Sequence, residues 1–440
     1  MTQSFYEKYN LEDGLSLRRA DLARQEQVQV ELLQMHLMQA ANTHFYRNLW
    51  QQVDFSLSQV DSLADLQALP MTSRQDLDAG SVAFIHADAE LPADITLTSG
   101  TTGEAIIVPY TAADLDRLAF NEMMAFYSAG VRPGDRVLLC VTLDRCFIAG
   151  LAYYSGIVKL GATAVRSGPG NFARQWELIH KLKPAAIVGV PSFLLKLAQW
   201  GEENGTNPQQ SGVGALVTIG EPIRKSDLTL TPLGQLLEEA WGAKLFSSYG
   251  ATELETAFGE CAASCGGHVH PELMMVEIID DQGNPVSPGN PGEVVVTPLG
   301  VKGFPLVRFR TGDVARLHVG PCACGWQTPR LGPIEGRLAQ RLKYKGTTLY
   351  PEMIFQALDE VPGLGPYYVE VHSAYDLSDE VRIVIGADEE LPMESISALL
   401  QARLRVRPVV VTRFKAEVVA KIENTDGRKI KKFFDLRKVI

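Results

Sequence analysis

The chain has 440 residues, of which 46% are hydrophobic and 21% charged, with a formal net charge of -11. That balance excludes a disordered chain, and the length suits about three domains or subdomains with large cores. The acidic balance argues against nucleic acid as a partner, the C-terminal "GRKIKKFFDLRK" being the one basic cluster. No apolar run reaches the roughly 18 residues that span a bilayer, and "MTQSFYEKYNLEDG" lacks the basic and apolar regions of a signal peptide, so no membrane role and a cytoplasmic location are expected.

Residues 16–50 carry leucines and methionines at mixed three and four spacing without proline, which predicts amphipathic helix. "LPMTSRQDL" then places a hydroxyl cap ahead of a short helix. From about residue 92, short apolar strands alternate with helices, from "RVLLCVT" through "TAVRS", "AAIVGVP" and "ALVTIGE" to "KLFSSYG". Such alternation predicts a helix-covered parallel sheet, whose ligand sites lie beyond the carboxyl ends of the strands. Residues 268–335 change to two-period strands and turns, which predicts a small antiparallel, barrel-like subdomain. After Arg337 the pattern reads strand "QRLKYKGTTL", helix, two strands, helix and strand "VVVTRFKAEVV", a compact α+β unit.

Three loops carry chemistry-bearing residues. "LTSGTTGE" offers hydroxyls from Thr98, Ser99, Thr101 and Thr102, with Gly100 and Gly103 freeing the backbone to fold around an anion. No Gly-Lys-Ser/Thr follows, so it is no Walker loop, and a polar turn is the plainer alternative. "SSYGATE" presents an aromatic, a glycine, a hydroxyl and an acid in the order that stacks a base, meets a phosphate and holds Mg²⁺, although alone it reads equally as a turn. "RFRTGDVARL" ends a turn on Asp313, whose carboxylate suits the vicinal hydroxyls of a ribose.

The order of these segments, followed by "GR" and "KYKGTTLYPE", resembles the adenylate-forming superfamily of acyl-CoA synthetases, peptide-synthetase adenylation domains and luciferases. Within it, "IGEP", "PLVRFRTGD", "CACG" and "RKIKKFFDLR" are most similar to the phenylacetate-CoA ligase group. The resemblance implies an N-terminal adenylation domain, 1–336, and a mobile C-terminal domain, 337–440. It implies that ATP, Mg²⁺, coenzyme A and a small carboxylic acid, aromatic by the same likeness, are the ligands. Thr98 to Gly103 would wrap the pyrophosphate. Gly220, Glu221 and Pro222 would border the adenine, with Tyr249 and Gly250 against it. Thr252 would touch the α-phosphate, Glu253 would hold Mg²⁺, and Asp313 would bind the ribose, with Arg337 nearby at the hinge. Lys429 would bridge carboxylate and phosphate during adenylation, and Gly346 would face the pantetheine. A homodimer is kept as the candidate assembly.

The segment "DRCFIAGLAYYSGIVKLGA" resembles the family's acyl-binding stretch, which makes Phe147 and Tyr153 candidates for the acid pocket, against a plain core role. Cys261, His268, Cys322 and Cys324 supply four ligands suited to a structural tetrahedral Zn²⁺, with Cys265 and His270 as spares, against buried free thiols. The sequence departs from the family at Glu104, where a lysine is expected, and at Leu338, Ala339 and Gln340, where the acidic hinge residue is missing. Arg428 precedes Lys429 and Lys431 follows it, so the catalytic lysine is a choice among neighbours. Two functions therefore compete, a ligase that adenylates an acid and passes it to coenzyme A, and a diverged nucleotide binder with another acceptor or no catalysis.

Overall fold

The structure, a computed structural model, describes residues 9–57, 60–86, 91–98, 106–345, 347–375, 378–423 and 431–437. The chain divides into two compact units, Met1–Thr311 with Ala315–Pro333, and Gly312–Val314 with Ile334–Ile440.

The first unit opens on helices rather than on the single long one expected. Leu11–Arg19, Leu22–Ala41 and His44–Gln52 are separate because Asp21 and Thr43 each take extended backbone and cap the next helix, accepting from Arg24 and Tyr46 N–H. Ser73 caps the expected short helix Arg74–Gly80, its N–H and hydroxyl both donating to Asp76 at 2.8 and 2.7 Å. Strands β1 (Asp94–Leu97) and β2 (Ile107–Tyr110) then form an antiparallel ribbon around residues 99–105.

The central sheet is built from β3 (Arg136–Leu139), β4 (Thr163–Arg166), β5 (Ala186–Gly189), β6 (Ala215–Ile219), β7 (Lys244–Ala251) and β8 (Thr256–Gly259) in the order β4-β3-β5-β6-β7-β8. All pairs are parallel except β7–β8, which are joined by too short a connection for a crossover and run antiparallel. Because side chains alternate across a strand, Val137, Leu139, Val188 and Val217 face one apolar layer while Leu138, Ile187 and Leu216 face the other. Helices Ala112–Ser128 and Ile148–Lys159 cover the first face, and helices Phe172–Leu182, Pro191–Glu203 and Pro232–Trp241 the second. On that second face Trp176 and Trp241 stack at 5.5 Å, and both indole N–H groups donate to carbonyls of helix Pro191–Glu203. Gly201 makes room for them, since a Cβ there would come within 2.5 Å of Trp176.

The antiparallel subdomain follows as β9 (Gly267–His268), β10 (Met274–Ile279), β11 (Pro291–Pro298), β12 (Phe309–His318) and β13 (Arg330–Leu331), ordered β10-β11-β12-β13-β9. In the second unit, β14 (Gly336–Arg337) pairs with residues 313–314 of β12. The expected strand 340–349 is instead a hairpin of β15 (Leu342–Tyr344) and β16 (Thr347–Leu349). Beyond it, β17 (Tyr367–Tyr375), β18 (Ser378–Gly386), β19 (Val409–Arg413) and β20 (Phe433–Asp435) form a sheet in the order β19-β18-β17-β20. Helices Pro351–Asp359 and Met393–Leu404 cover one face and helix Lys415–Ile422 the other, around Val384, Val418 and Ile422.

Candidate functional site

Among the described residues, the loops at the carboxyl ends of β6 and β7 hold most of the candidates. Gly220 follows β6 with φ +85°, a left-handed conformation that glycine adopts without the cost of roughly 1 kcal/mol a Cβ would add. Glu221 next to it accepts from the Ser192 N–H and hydroxyl, both at 2.8 Å. Its carboxylate thereby caps helix Pro191–Glu203, whose own first residue is proline and whose N-cap Val190 offers no side-chain acceptor. One loop is thus tied to a helix start by two charge-assisted bonds, which fixes Pro222 behind it.

At the end of β7, Tyr249 stacks on Phe258 with ring centroids 5.7 Å apart. Gly250 lies against β8, where a Cβ would meet the Thr256 carbonyl at 3.0 Å. Thr252–Leu254 form one 3-10 turn that ends at Glu255 with φ 50°. Buried Tyr110 donates its hydroxyl to the Thr252 carbonyl at 3.1 Å. Arg117, 0% exposed, donates to the carbonyls of Leu299 at 2.6 Å and Glu255 at 2.7 Å and also to that of Leu273. A buried guanidinium satisfied by carbonyls on three segments pins this turn from below. The Glu253 carboxylate is aimed instead at Arg74, at 3.0 Å, with the glutamate side chain 12% exposed.

Thr98 is buried, its N–H donating to the Ile106 carbonyl and its hydroxyl accepting from the Ile106 N–H. Ser99, Gly100, Thr101, Thr102, Gly103 and Glu104 lie outside the described residues, as do Gly346 and Lys429. In the second unit, Asp313 and Arg337 are directly opposed on β12 and β14 and form an ion pair of 3.2 Å, with Asp313 12% and Arg337 58% exposed.

The acyl candidates share helix Ile148–Lys159. Phe147 stands at its N-cap, 41% exposed, whereas Tyr153 is 2% exposed and packs edge-on against Phe126 within the core. Burial and the nearby Glu122 push the Tyr153 hydroxyl up, and a hydrogen bond with Ser248 opposes this.

The cysteines converge. Ligand atoms of Cys261, His268, Cys322 and Cys324 all lie within 4.8 Å of one another. Cys261 Sγ is 3.6 Å from Cys322 Sγ, and Cys324 Sγ is 3.5 Å from His268 Nε2. A tetrahedral Zn²⁺ with bonds of about 2.0–2.3 Å needs ligand separations of about 3.3–3.8 Å, so this donor set fits the ion. His268 Nδ1 is 2.8 Å from Thr328 Oγ1, a partner that leaves Nε2 for the metal side. Burial holds the His268 imidazole neutral, its pKa lowered to about 3. Of the two spares, Cys265 does lie at the cluster, 3.5 Å from Cys322 Sγ. His270 stands apart from that donor set, its Nδ1 against Arg18 in a fully buried group with Glu272.

Arg74, Tyr110, Ser192, Glu122 and Thr328 went unread in the sequence. The partners of Arg74, Tyr110, Ser192 and Thr328 lie far along the chain, and none of the five stands in a segment with a local signature of the site.

A family model described as AMP-binding enzyme matches residues 31–301. The phenylacetate-coenzyme A ligase of Thermus thermophilus is 28% identical over 417 residues, spanning 90% of this chain and 92% of that protein. The phenylacetate-coenzyme A ligase of Escherichia coli is 25% identical over 419 residues, spanning 91% and 92%. Among solved structures, a 2-hydroxyisobutyryl-CoA ligase in the postadenylation state with 2-HIB-AMP matches with TM-score 0.83 and 24% identity, covering 95% of this chain and 91% of that one. That likeness is one of fold.

Proposed function

Because this chain belongs to the AMP-binding enzyme family, we propose that it activates a small carboxylic acid, aromatic in the first instance, as an acyl adenylate and passes the acyl group to coenzyme A. It is an AMP-forming acid–thiol ligase of the phenylacetate-CoA ligase-like group. The observation that carries the site assignment is the convergence of the Gly220–Pro222 loop and the Tyr249–Glu253 turn at the carboxyl ends of adjacent parallel strands β6 and β7. Open α/β sheets bind their ligands at such strand ends.

On this reading the substrate carboxylate attacks the α-phosphorus of ATP in line and pyrophosphate leaves. Tyr249 and the Gly220–Pro222 backbone orient the adenine, and Asp313 accepts the ribose hydroxyls. Thr252 donates to the α-phosphate, while Glu253 would hold Mg²⁺, which neutralises developing charge when bound. Residues 98–103 cradle the departing pyrophosphate. Lys429 supplies the cation between carboxylate and phosphate. The thiol of coenzyme A then attacks the acyl carbonyl, with Gly346 facing the pantetheine after the C-terminal domain, 337–440, has turned. Cys261, His268, Cys322 and Cys324 would hold a structural Zn²⁺, which would clip β9 to the segment before β13. ATP and coenzyme A as substrates support a cytoplasmic location for the enzyme.

Carboxylate-dependent ATP–pyrophosphate exchange over a panel of aryl and short aliphatic acids tests the reading. At least one acid is expected to support exchange, and Lys429→Ala is expected to abolish it while sparing thioester formation from a supplied acyl adenylate. ATP binding without exchange for any acid would leave the diverged nucleotide binder as the answer.

A further inference from the structure

Glu122 has no task in the chemistry above. It stands on helix Ala112–Ser128 and is 3% exposed, yet no hydrogen-bond donor or cation among the described residues is paired with its carboxyl group. Burial alone pushes that group up to about 8, so at neutral pH it is mostly a neutral acid that both donates and accepts. An unpartnered buried acid costs more than the leucine that would fill the same space.

It lines a cavity of about 10 Å³, room for one water-sized group, with Phe126, Val217, Phe246, Ser248 and Glu260. Glu260 is committed, since Arg224 donates to both its oxygens at 2.8 and 3.0 Å. Glu122 is therefore the uncommitted ionisable group of the cavity. One wall, from β7, belongs to the proposed site, and the helix of the acyl candidates lies against Glu122 itself. Helix Ile148–Lys159, which carries Phe147 and Tyr153, packs directly on Glu122, for a Cβ on Gly156 would come within 2.4 Å of the Glu122 Cβ. Ser248, which hydrogen-bonds Tyr153, immediately precedes Tyr249 on β7.

We infer that Glu122 determines specificity at the closed end of the acyl pocket, selecting acids that carry one hydroxyl or amino group remote from the reacting carboxylate. The inference rests on the ligase reading. The small volume limits the recognised group to a single polar heavy atom, and a carboxyl group answers either kind, by hydrogen bonding to a hydroxyl or by ionising opposite an ammonium. A hydrogen-bonding site rejects the analogue that lacks the polar group because its own buried group is then left unpaired.

Pyrophosphate exchange with matched acids, each unsubstituted, hydroxyl-bearing or amino-bearing, is compared for the wild type, Glu122→Leu and Glu122→Gln, with thermal melting as the check on folding. The wild type is expected to favour a polar member over its parent by on the order of 10²-fold in kcat/KM, and Glu122→Leu to reverse that order. Glu122→Gln keeps a hydroxyl preference and loses an amino one, which tells the two groups apart. Should Glu122→Leu fail to fold, the nearly isosteric Glu122→Met carries the same comparison. A wild type that favours the unsubstituted parents, or apolar variants with unchanged ratios, overturns the inference and leaves the ligase reading intact. Absence of exchange with every acid in the wild type defeats the ligase reading, and the inference with it.

Discussion

Arg74 and Glu253 form an ion pair of 3.0 Å across 179 residues of sequence. The guanidinium bonds Oε1 of the carboxylate that would hold Mg²⁺, so it competes with the metal for that group. Surface pairs are worth about 0–1 kcal/mol, and with side chains 32% and 12% exposed this one is partly buried, so the competition is on the order of fivefold. Arg74→Ala is expected to lower the Mg²⁺ concentration for half-maximal exchange by up to about that factor. A Mg²⁺ titration of the exchange reaction reads this directly, and a raised requirement would show that Arg74 assists the metal instead.

The thiol cluster predicts about one zinc per chain by elemental analysis of purified protein. Cys322→Ser, which removes the sulfur 3.6 Å from Cys261 and 3.5 Å from Cys265, is expected to lose the metal and to melt several degrees lower. Cys265→Ser is expected to keep it. Loss of zinc in Cys265→Ser with retention in His268→Ala would replace the histidine by a fourth thiol in the ligand set.

Glu221 joins the adenine loop to a helix start through Ser192. Glu221→Ala removes that cap and is expected to cost about 1 kcal/mol of stability. With the loop released, KM for ATP rises several-fold while kcat falls less. Ser192→Ala keeps the backbone bond and is expected to show a smaller version of the same change, read from ATP titrations of exchange.

Two buried groups set opposite pH slopes. His36 is fully buried, its Nε2 lies 2.8 Å from the Leu306 carbonyl, and burial lowers its pKa to about 4. Between about 6.5 and 4 the unfolded imidazole is protonated and the folded one is not, so stability falls as pH falls through that window, by up to about 3 kcal/mol. Glu122, raised to about 8, keeps its proton when folded and loses it when unfolded above about 4.5, so its contribution falls as pH rises towards 8. Urea unfolding at pH 5, 6.5 and 8 is expected to show a flatter acid side for His36→Gln and a flatter alkaline side for Glu122→Gln. Unaltered slopes would remove burial as their cause.

The fold was legible where burial is simple. Strands β3, β5 and β6 are covered on both faces and read as continuous apolar runs, which the crossover rule assembles into one sheet. Helix Ala112–Ser128 escaped because its buried face includes Asp114, Arg117, Asn121 and Glu122. Asp114 is satisfied by Lys302 and Gly303 N–H, and Arg117 by Leu273 and Leu299 carbonyls, partners that no local window contains. "VVVTRFKAEVV" was expected as one strand, yet β19 stops at Arg413, where its neighbour β18 ends at Gly386, and Lys415 begins a helix. The thiol cluster was readable from residue chemistry. The Arg74 and Ser192 contacts were not, because each is a meeting of distant segments.

The short strand β20 covers one edge of the C-terminal sheet. It lies parallel to β17, pairing Phe433 with Val369 and Asp435 with Val371, and Leu436 N–H donates to the Val371 carbonyl at 2.8 Å. Just ahead of it, Lys431 N–H donates to the Ile422 carbonyl at 3.1 Å. The edge strand is thus tied at its start to the last turn of helix Lys415–Ile422 and along its length to β17. Cutting the chain after Lys431 would free the edge of β17, whose unpaired N–H and carbonyl groups would offer a docking line to another strand.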